Sequence, residues 1–338
     1  MNSFDRFRAQ MERTAADRPA NFDIFMTFAA HLIGKPLREY YEDFRTLCQA
    51  NYAVADTFGI DIVQAISDPY REACDFGAQI VFPDDGLPMC VEPLLKSEGD
   101  LAKLRRPDPR TGPRMSYRLR AVEAFRSAVG GEIPIMGWVE GALAEAADLR
   151  GVQTLLTDLI QRPAWVHDLL EHCADVAVDF ALAQIEAGAD IIGLGDAVAS
   201  QISPRMYEEF ALPFEQRIFD AVRRAGAIAR LHICGDITHL LPLVSVARPH
   251  IVDLDWMVRI PDAVSILPAD ILVCGNIDPV AVVLEGTPER VYEGTLQCLQ
   301  QGQGRLIAGA GCEIPDGTPH ENLAAQARAI RDSSVPTG

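Results

Sequence analysis

The stretch Arg230-Leu231-His232-Ile233-Cys234-Gly235-Asp236 reads as a buried strand that ends in polar groups and then turns. His232 and Cys234 stand two apart, so on an extended strand end their side chains share one side. Gly235 lets the chain turn sharply and leaves the sulfur accessible. Far downstream, Ala308-Gly309-Ala310-Gly311-Cys312-Glu313-Ile314-Pro315 again sets a cysteine among glycines after an apolar run. If both segments belong to one closed sheet, Cys312 can meet His232 and Cys234 across its mouth. One imidazole and two thiolates make a candidate zinc site with an open fourth position.

Working outward, seven further segments share this apolar strand character: 22–28, 61–66, 133–139, 190–195, 251–256, 271–276 and 305–310. Helical patterns separate most of them, at 37–57, 116–129, 151–160, 163–187, 204–226, 236–247, 259–267 and 287–301. Apolar strands alternating with helices indicate a parallel sheet with covered faces. Eight such units predict an α/β chain folded as a (β/α)8 TIM barrel. His232 and Cys234 then end the fifth strand, and Cys312 follows the eighth. A doubly wound open sheet is the alternative. No Gly-x-Gly-x-x-Gly follows the first strand, which counts against it.

A polar helix over 2–15 leads into the barrel and another over 319–332 closes the chain. Ile80-Val81-Phe82-Pro83, Asp84-Asp85-Gly86 and Pro88-Met89-Cys90-Val91 read as a small β-hairpin insertion near 78–93. The Pro-, Arg- and Asp-rich stretch 104–115 is read as a surface loop, because helix 116–129 runs straight to the next strand. Residues 1–338 are therefore expected to form one barrel domain. In such a barrel catalytic groups end the strands. Besides the cluster, Asp68, Glu140, Asp196, Asn276 and Glu313 hold such positions.

The 338 residues are 49% hydrophobic, ample for one large core, and carry a net charge of -18. That acidity argues against a general nucleic-acid binder and leaves room for a basic protein partner. The N-terminus lacks an apolar signal core and no apolar run approaches a membrane span, so a cytoplasmic protein without membrane contact is expected. The eight cysteines show no disulfide framework, and most are expected as buried thiols.

His232-x-Cys234 with the distant Cys312 resembles the zinc motif of the methylcobamide:coenzyme M methyltransferases, a branch of the uroporphyrinogen decarboxylase superfamily of (β/α)8 barrels. Further blocks carry the resemblance along the chain: Asp196-Ala197-Val198-Ala199-Ser200-Gln201-Ile202-Ser203-Pro204, Cys274-Gly275-Asn276-Ile277-Asp278-Pro279, and Thr318-Pro319-His320-Glu321-Asn322 after Cys312. The departures choose the branch. Where the decarboxylases carry an arginine-rich segment after the first strand, this chain reads Thr27-Phe28-Ala29-Ala30-His31. Their tyrosine falls at about Ala147, and their Asp-Ser-Trp reads Asp196-Ala197-Val198. Of the decarboxylase residues only the loop aspartate is retained, at Asp68.

The resemblance implies a zinc-dependent methyltransferase. A methyl group would move between a corrinoid (cobalamin), carried on a separate corrinoid-binding protein, and a small substrate, either a thiol acceptor or a methylated donor such as an O-methyl compound. His232, Cys234 and Cys312 would hold Zn²⁺. Asp68 and Asp196 are the candidate catalytic carboxylates, and Asn276 the candidate cofactor contact. For Asp68 a loop or N-cap role stands beside the catalytic one. For Asp196 and Asn276 loop bracing stands beside substrate contact. Glu313 is read as a fourth zinc ligand or an exposed loop glutamate. The other functional readings are an Asp68-dependent decarboxylase and a zinc- or corrinoid-binding module without catalysis.

Overall fold

The computed structural model describes residues 1–333. Seven strands form one sheet in chain order: Val63–Gln64, Ile135–Glu140, Ile191–Gly195, Ile228–His232, Ile251–Asp253, Leu272–Cys274 and Leu306–Ile307. Every neighbouring pair is parallel. Nearly all of their residues are buried on both faces, which is why the strands read as continuous apolar runs. Residues 20–23 take the eighth place. Phe22 N donates to Ala308 O, Ala308 N to Ala20 O, and Asp61 N to Asn21 O, so this segment joins the last strand to the first. The result is a (β/α)8 barrel whose first strand is reduced to a bridge between Asn21 and Ala308.

That reduction corrects the strand expected over 22–28. Thr27–Leu32 is a helix. Its first amides, Met26 N and Thr27 N, donate to the Glu313 carboxylate. A cap supplied from the far end of the chain leaves no local sequence signal. The helix expected over 37–57 is two, Leu37–Glu42 and Phe44–Phe58, because Asp43 turns out of line and caps the second through Arg45 N. Likewise 204–226 divides into Pro204–Phe210 and Leu212–Arg224, with Pro213 in the first turn of the second helix. Helix Ala142–Arg150 has no counterpart in the sequence reading. The hairpin expected near 78–93 forms, pairing Ile80 with Cys90 and Val81 with Met89.

The lead-in helix Ser3–Glu12 closes the barrel end opposite the strand C-termini. Arg6 and Arg18 pair with buried Asp61, and Phe7 packs against Phe22. Inside the barrel the side chains form a layered core rather than a pore. One layer centres on Arg230, whose guanidinium meets Asp253, Met136 Sδ, Phe22 O and Cys274 Sγ. The last five residues of the expected 1–338 domain lie outside the described residues. Among those described, no helix is long and apolar enough to cross a membrane.

Candidate metal centre

His232 is the last residue of its strand, and Cys234 follows on the turn that Gly235 makes at φ +94°. Cys312 hangs from the loop after the last strand, and the barrel's closure brings it to the other two. His232 Nε2 lies 3.2 Å from Cys234 Sγ, the two sulfurs are 3.8 Å apart, and Cys312 Sγ is 3.9 Å from Nε2. A tetrahedral zinc with ordinary bond lengths spaces two thiolate sulfurs about 3.8 Å and a sulfur–nitrogen pair about 3.6 Å apart. The sulfur pair matches and the two sulfur–nitrogen distances bracket theirs. Among the described residues this is the only group of three or more such ligands close enough to share an ion.

The surroundings suit cation binding. His232 and Asp253 are register partners on adjacent strands, and Asp253 Oδ2 lies 2.9 Å from His232 Nδ1. This contact places the Nδ1 proton towards the carboxylate and leaves Nε2 free for a metal. The other oxygen of Asp253 accepts from Arg230 Nε at 2.8 Å. Burial pushes Asp253 up, but Arg230 and His232 together outweigh it and hold the carboxyl below its usual range. Cys312 shares a hydrogen bond with Cys234 and faces the imidazole, and both contacts hold its thiol below the usual range. One thiolate is therefore already favoured. Only the pairing register shows that Asp253 faces His232, and its place in the sequence does not.

A flat aromatic wall supports the histidine. The Trp138 ring lies 5.9 Å from that of His232, over the strand between them. That strand reads Gly193-Leu194-Gly195 because a Cβ at Gly193 would come within 2.3 Å of the indole, and one at Gly195 within 2.9 Å. Trp138 Nε1 donates to Glu140 Oε1, which also accepts from Arg71 Nη2 at 2.8 Å.

The other expected site residues are placed differently. Asp68 is fully enclosed: Oδ2 pairs with Arg114, Oδ1 accepts from Tyr70 N, and its carbonyl accepts from Arg71. It anchors the buried Arg71 and presents no face to the mouth. Asp196, also fully buried, accepts Ala144 N and so caps helix Ala142–Arg150. Asn276 donates to the carbonyls of Asp255 and Val258. Asp255 in turn accepts Gly235 N at 2.6 Å, so Asn276 steadies the Cys234 turn through Asp255. Glu313 is neither an exposed glutamate nor aimed at the cluster; it caps the helix at Thr27.

A family model described as "Uroporphyrinogen decarboxylase (URO-D)" matches residues 2–333. A methylcobamide:CoM methyltransferase of Methanosarcina mazei is 33% identical over 285 residues, 83% of this chain and 82% of the relative. A uroporphyrinogen decarboxylase of Prochlorococcus marinus is 26% identical over 304 residues, 85% of each. The fold matches that of a solved methyltransferase from Methanosarcina mazei with a TM-score of 0.89 over 98% of both chains, at 21% identity.

Proposed function

The chain belongs to the uroporphyrinogen decarboxylase family, and we propose that within it this protein is a zinc-dependent methyltransferase working with a corrinoid. The observation that carries this reading is the triangle of His232 Nε2, Cys234 Sγ and Cys312 Sγ, whose edges fit one tetrahedral zinc with a fourth position open. The relatives named for methyl transfer from methylcobamide support it. Zinc held this way is formally neutral; it favours the thiolate of a bound thiol and, in the reverse sense, acts as a Lewis acid on a methylated donor.

The chain's own residues prepare that position. His232 presents Nε2 because Asp253 takes Nδ1, and the indole of Trp138 keeps the ring from turning. Asp255 holds the Gly235 turn and with it Cys234. Asn276, through Asp255, serves the site by bracing, and Asp68 and Asp196 serve it by fixing Arg71 and helix Ala142–Arg150. The barrel mouth receives the small substrate, a thiol acceptor or a methylated donor. The corrinoid comes on a partner protein that covers the mouth.

The test is Cys312→Ser. The variant is expected to fold, to lose zinc by elemental analysis, and to lose methyl transfer between methylcobalamin and coenzyme M. Full activity in metal-stripped wild-type protein would refute the reading. The decarboxylase reading requires Asp68 to touch substrate, and its enclosed carboxylate predicts no turnover of uroporphyrinogen.

A further inference from the structure

Cys234 and Cys312 face each other with their sulfurs 3.8 Å apart and in hydrogen-bond contact. Both are half-buried at the barrel mouth, within reach of a small solute. Their turns are anchored on the same two residues. Asp255 Oδ2 accepts at 2.6 Å from the amide of Gly235, next to Cys234. Gly311, next to Cys312, lies so close over Trp256 that a Cβ there would come within 2.4 Å of Trp256 N. The protein's own backbone contacts therefore bring the two sulfurs together, with no ion needed to hold them. Among the described residues no other two cysteines touch. Cys48 and Cys90 donate to main-chain carbonyls, Cys298 donates to Asn276 Oδ1, and Cys274 accepts from Arg230.

We propose that this pair is a site of reversible oxidation: hydrogen peroxide joins Cys234 and Cys312 as a disulfide when no metal is bound, and disulfide and metal exclude each other. The metal half of that statement rests on the zinc reading above. One thiolate attacks a peroxide oxygen. The S–O bond forms, the O–O bond breaks, and the departing hydroxide takes a proton and leaves as water. The second thiolate attacks the sulfenic sulfur. The S–S bond forms, the S–O bond breaks, and a second water leaves in the same way. Two electrons pass from the sulfurs to the peroxide, and the two thiol protons end in the two waters. A dithiol reverses the step by exchange.

The bond asks little of the fold. Disulfide sulfurs stand about 2.0 Å apart, so each sulfur moves by about 0.9 Å. Cys234 lies beyond the end of its strand and Cys312 in the loop after the last strand, so neither shift disturbs the sheet. His232 is held from its far nitrogen by Asp253 and keeps its place. Once the disulfide forms, neither sulfur carries a thiolate charge, and the imidazole is left as a single ligand where zinc needs at least three from the protein. The same thiolate lone pairs either bind zinc or attack peroxide, so a bound ion protects both sulfurs.

The experiment maps thiols. Full-length protein is stripped with a chelator and reduced, and part of it is reloaded with zinc. Both samples meet hydrogen peroxide, free thiols are counted, and tryptic peptides are weighed without reduction. Trypsin cuts after Arg230, Arg259, Arg305 and Arg328, so Cys234 and Cys312 each lie alone on a peptide. The metal-free sample is expected to lose two of its eight thiols and to give one cross-link, between those two peptides. Its zinc uptake, read with a chromogenic chelator, disappears and returns after dithiothreitol. The zinc-loaded sample keeps its thiols. A cross-link through any other cysteine, or sulfinic acid on both residues in place of the bond, overturns the proposal. So does a zinc-loaded sample that cross-links as fast as the metal-free one, because metal and disulfide would then not compete. No substitution is needed, so misfolding of a variant cannot blur the result. If the freshly reduced protein takes up no zinc, the zinc reading itself fails, while the peptide map still judges the disulfide.

Discussion

Replacing Asp253 with asparagine separates the electrostatic support of the proposed metal site from the three groups that would bind the metal. In the native protein one oxygen of Asp253 accepts from Arg230 and the other faces His232 Nδ1. In D253N the amide oxygen stays on Arg230, whose guanidinium only donates. The amide –NH₂ then faces Nδ1. Two donors cannot face each other, so the ring gives up its Nδ1 proton and carries it on Nε2, the atom a metal needs bare. Losing such an outer partner weakens metal binding by about 10–100-fold, or about 1.4–2.8 kcal/mol. The same change leaves Arg230, 2% exposed, without its carboxylate. Breaking a buried pair costs roughly 3–5 kcal/mol, and the hydrogen bond kept to the amide oxygen puts D253N at the low end. The assay is competition for zinc between the stripped protein and a chromogenic chelator, with urea unfolding of the stripped protein alongside. A folded D253N that binds zinc as tightly as wild type would refute the tautomer argument. A drop in stability with no change in affinity would show that Asp253 serves Arg230 alone.

Two further outcomes follow from the same core. Gly193→Ala drives a methyl group into the Trp138 indole; overpacking of this kind costs about 1–3 kcal/mol, and thermal unfolding with Trp fluorescence reads both the loss and the displaced ring. Burial raises Glu215 to about 7, opposed by the Tyr207 hydroxyl, and raises Glu140 and Glu313 to about 7 as well. With unfolded values near 4.3, the native protein binds more protons than the unfolded chain between about pH 4.3 and 7. Stability therefore falls as pH rises through that window, and Glu215→Gln removes part of the slope. Urea midpoints across the window that stay level in wild type would contradict this.

The barrel and the meeting of His232, Cys234 and Cys312 were legible in the sequence for physical reasons. Buried parallel strands are apolar throughout, so 133–139, 190–195 and 229–234 stood out. A His-x-Cys at a strand end with a distant Gly-flanked cysteine limits where the groups can point. What was hidden depends on contacts across the fold. The helix at Thr27–Leu32 is capped by Glu313, which no window around residue 27 contains. Asp253 belongs to His232 through register, which strand boundaries from sequence do not resolve. Asp68 and Asp196 sit at strand ends as expected of catalytic groups, yet both oxygens of Asp68 are taken by Arg114 and Tyr70 N, and Asp196, fully buried, caps a helix through Oδ1. A strand-end carboxylate marks a place in a barrel, and only its partners tell whether it works on a substrate.

The reduced first strand gives the barrel a seam. Between Leu306–Ile307 and Val63–Gln64 the wall is held by the short segment 20–24, where Asp23 adds a side-chain grip on Ala310 N and Gln326 to the backbone bonds. Cys312 hangs two residues past Ala310, while Cys234, at the end of the fifth stave, lies 78 positions back along the chain. An ion shared by Cys234 and Cys312 would act as a hoop, drawing this edge of the barrel towards the fifth strand. Binding free energy of this kind is folding free energy. The atoms proposed to prepare the chemistry would then also keep the vessel closed.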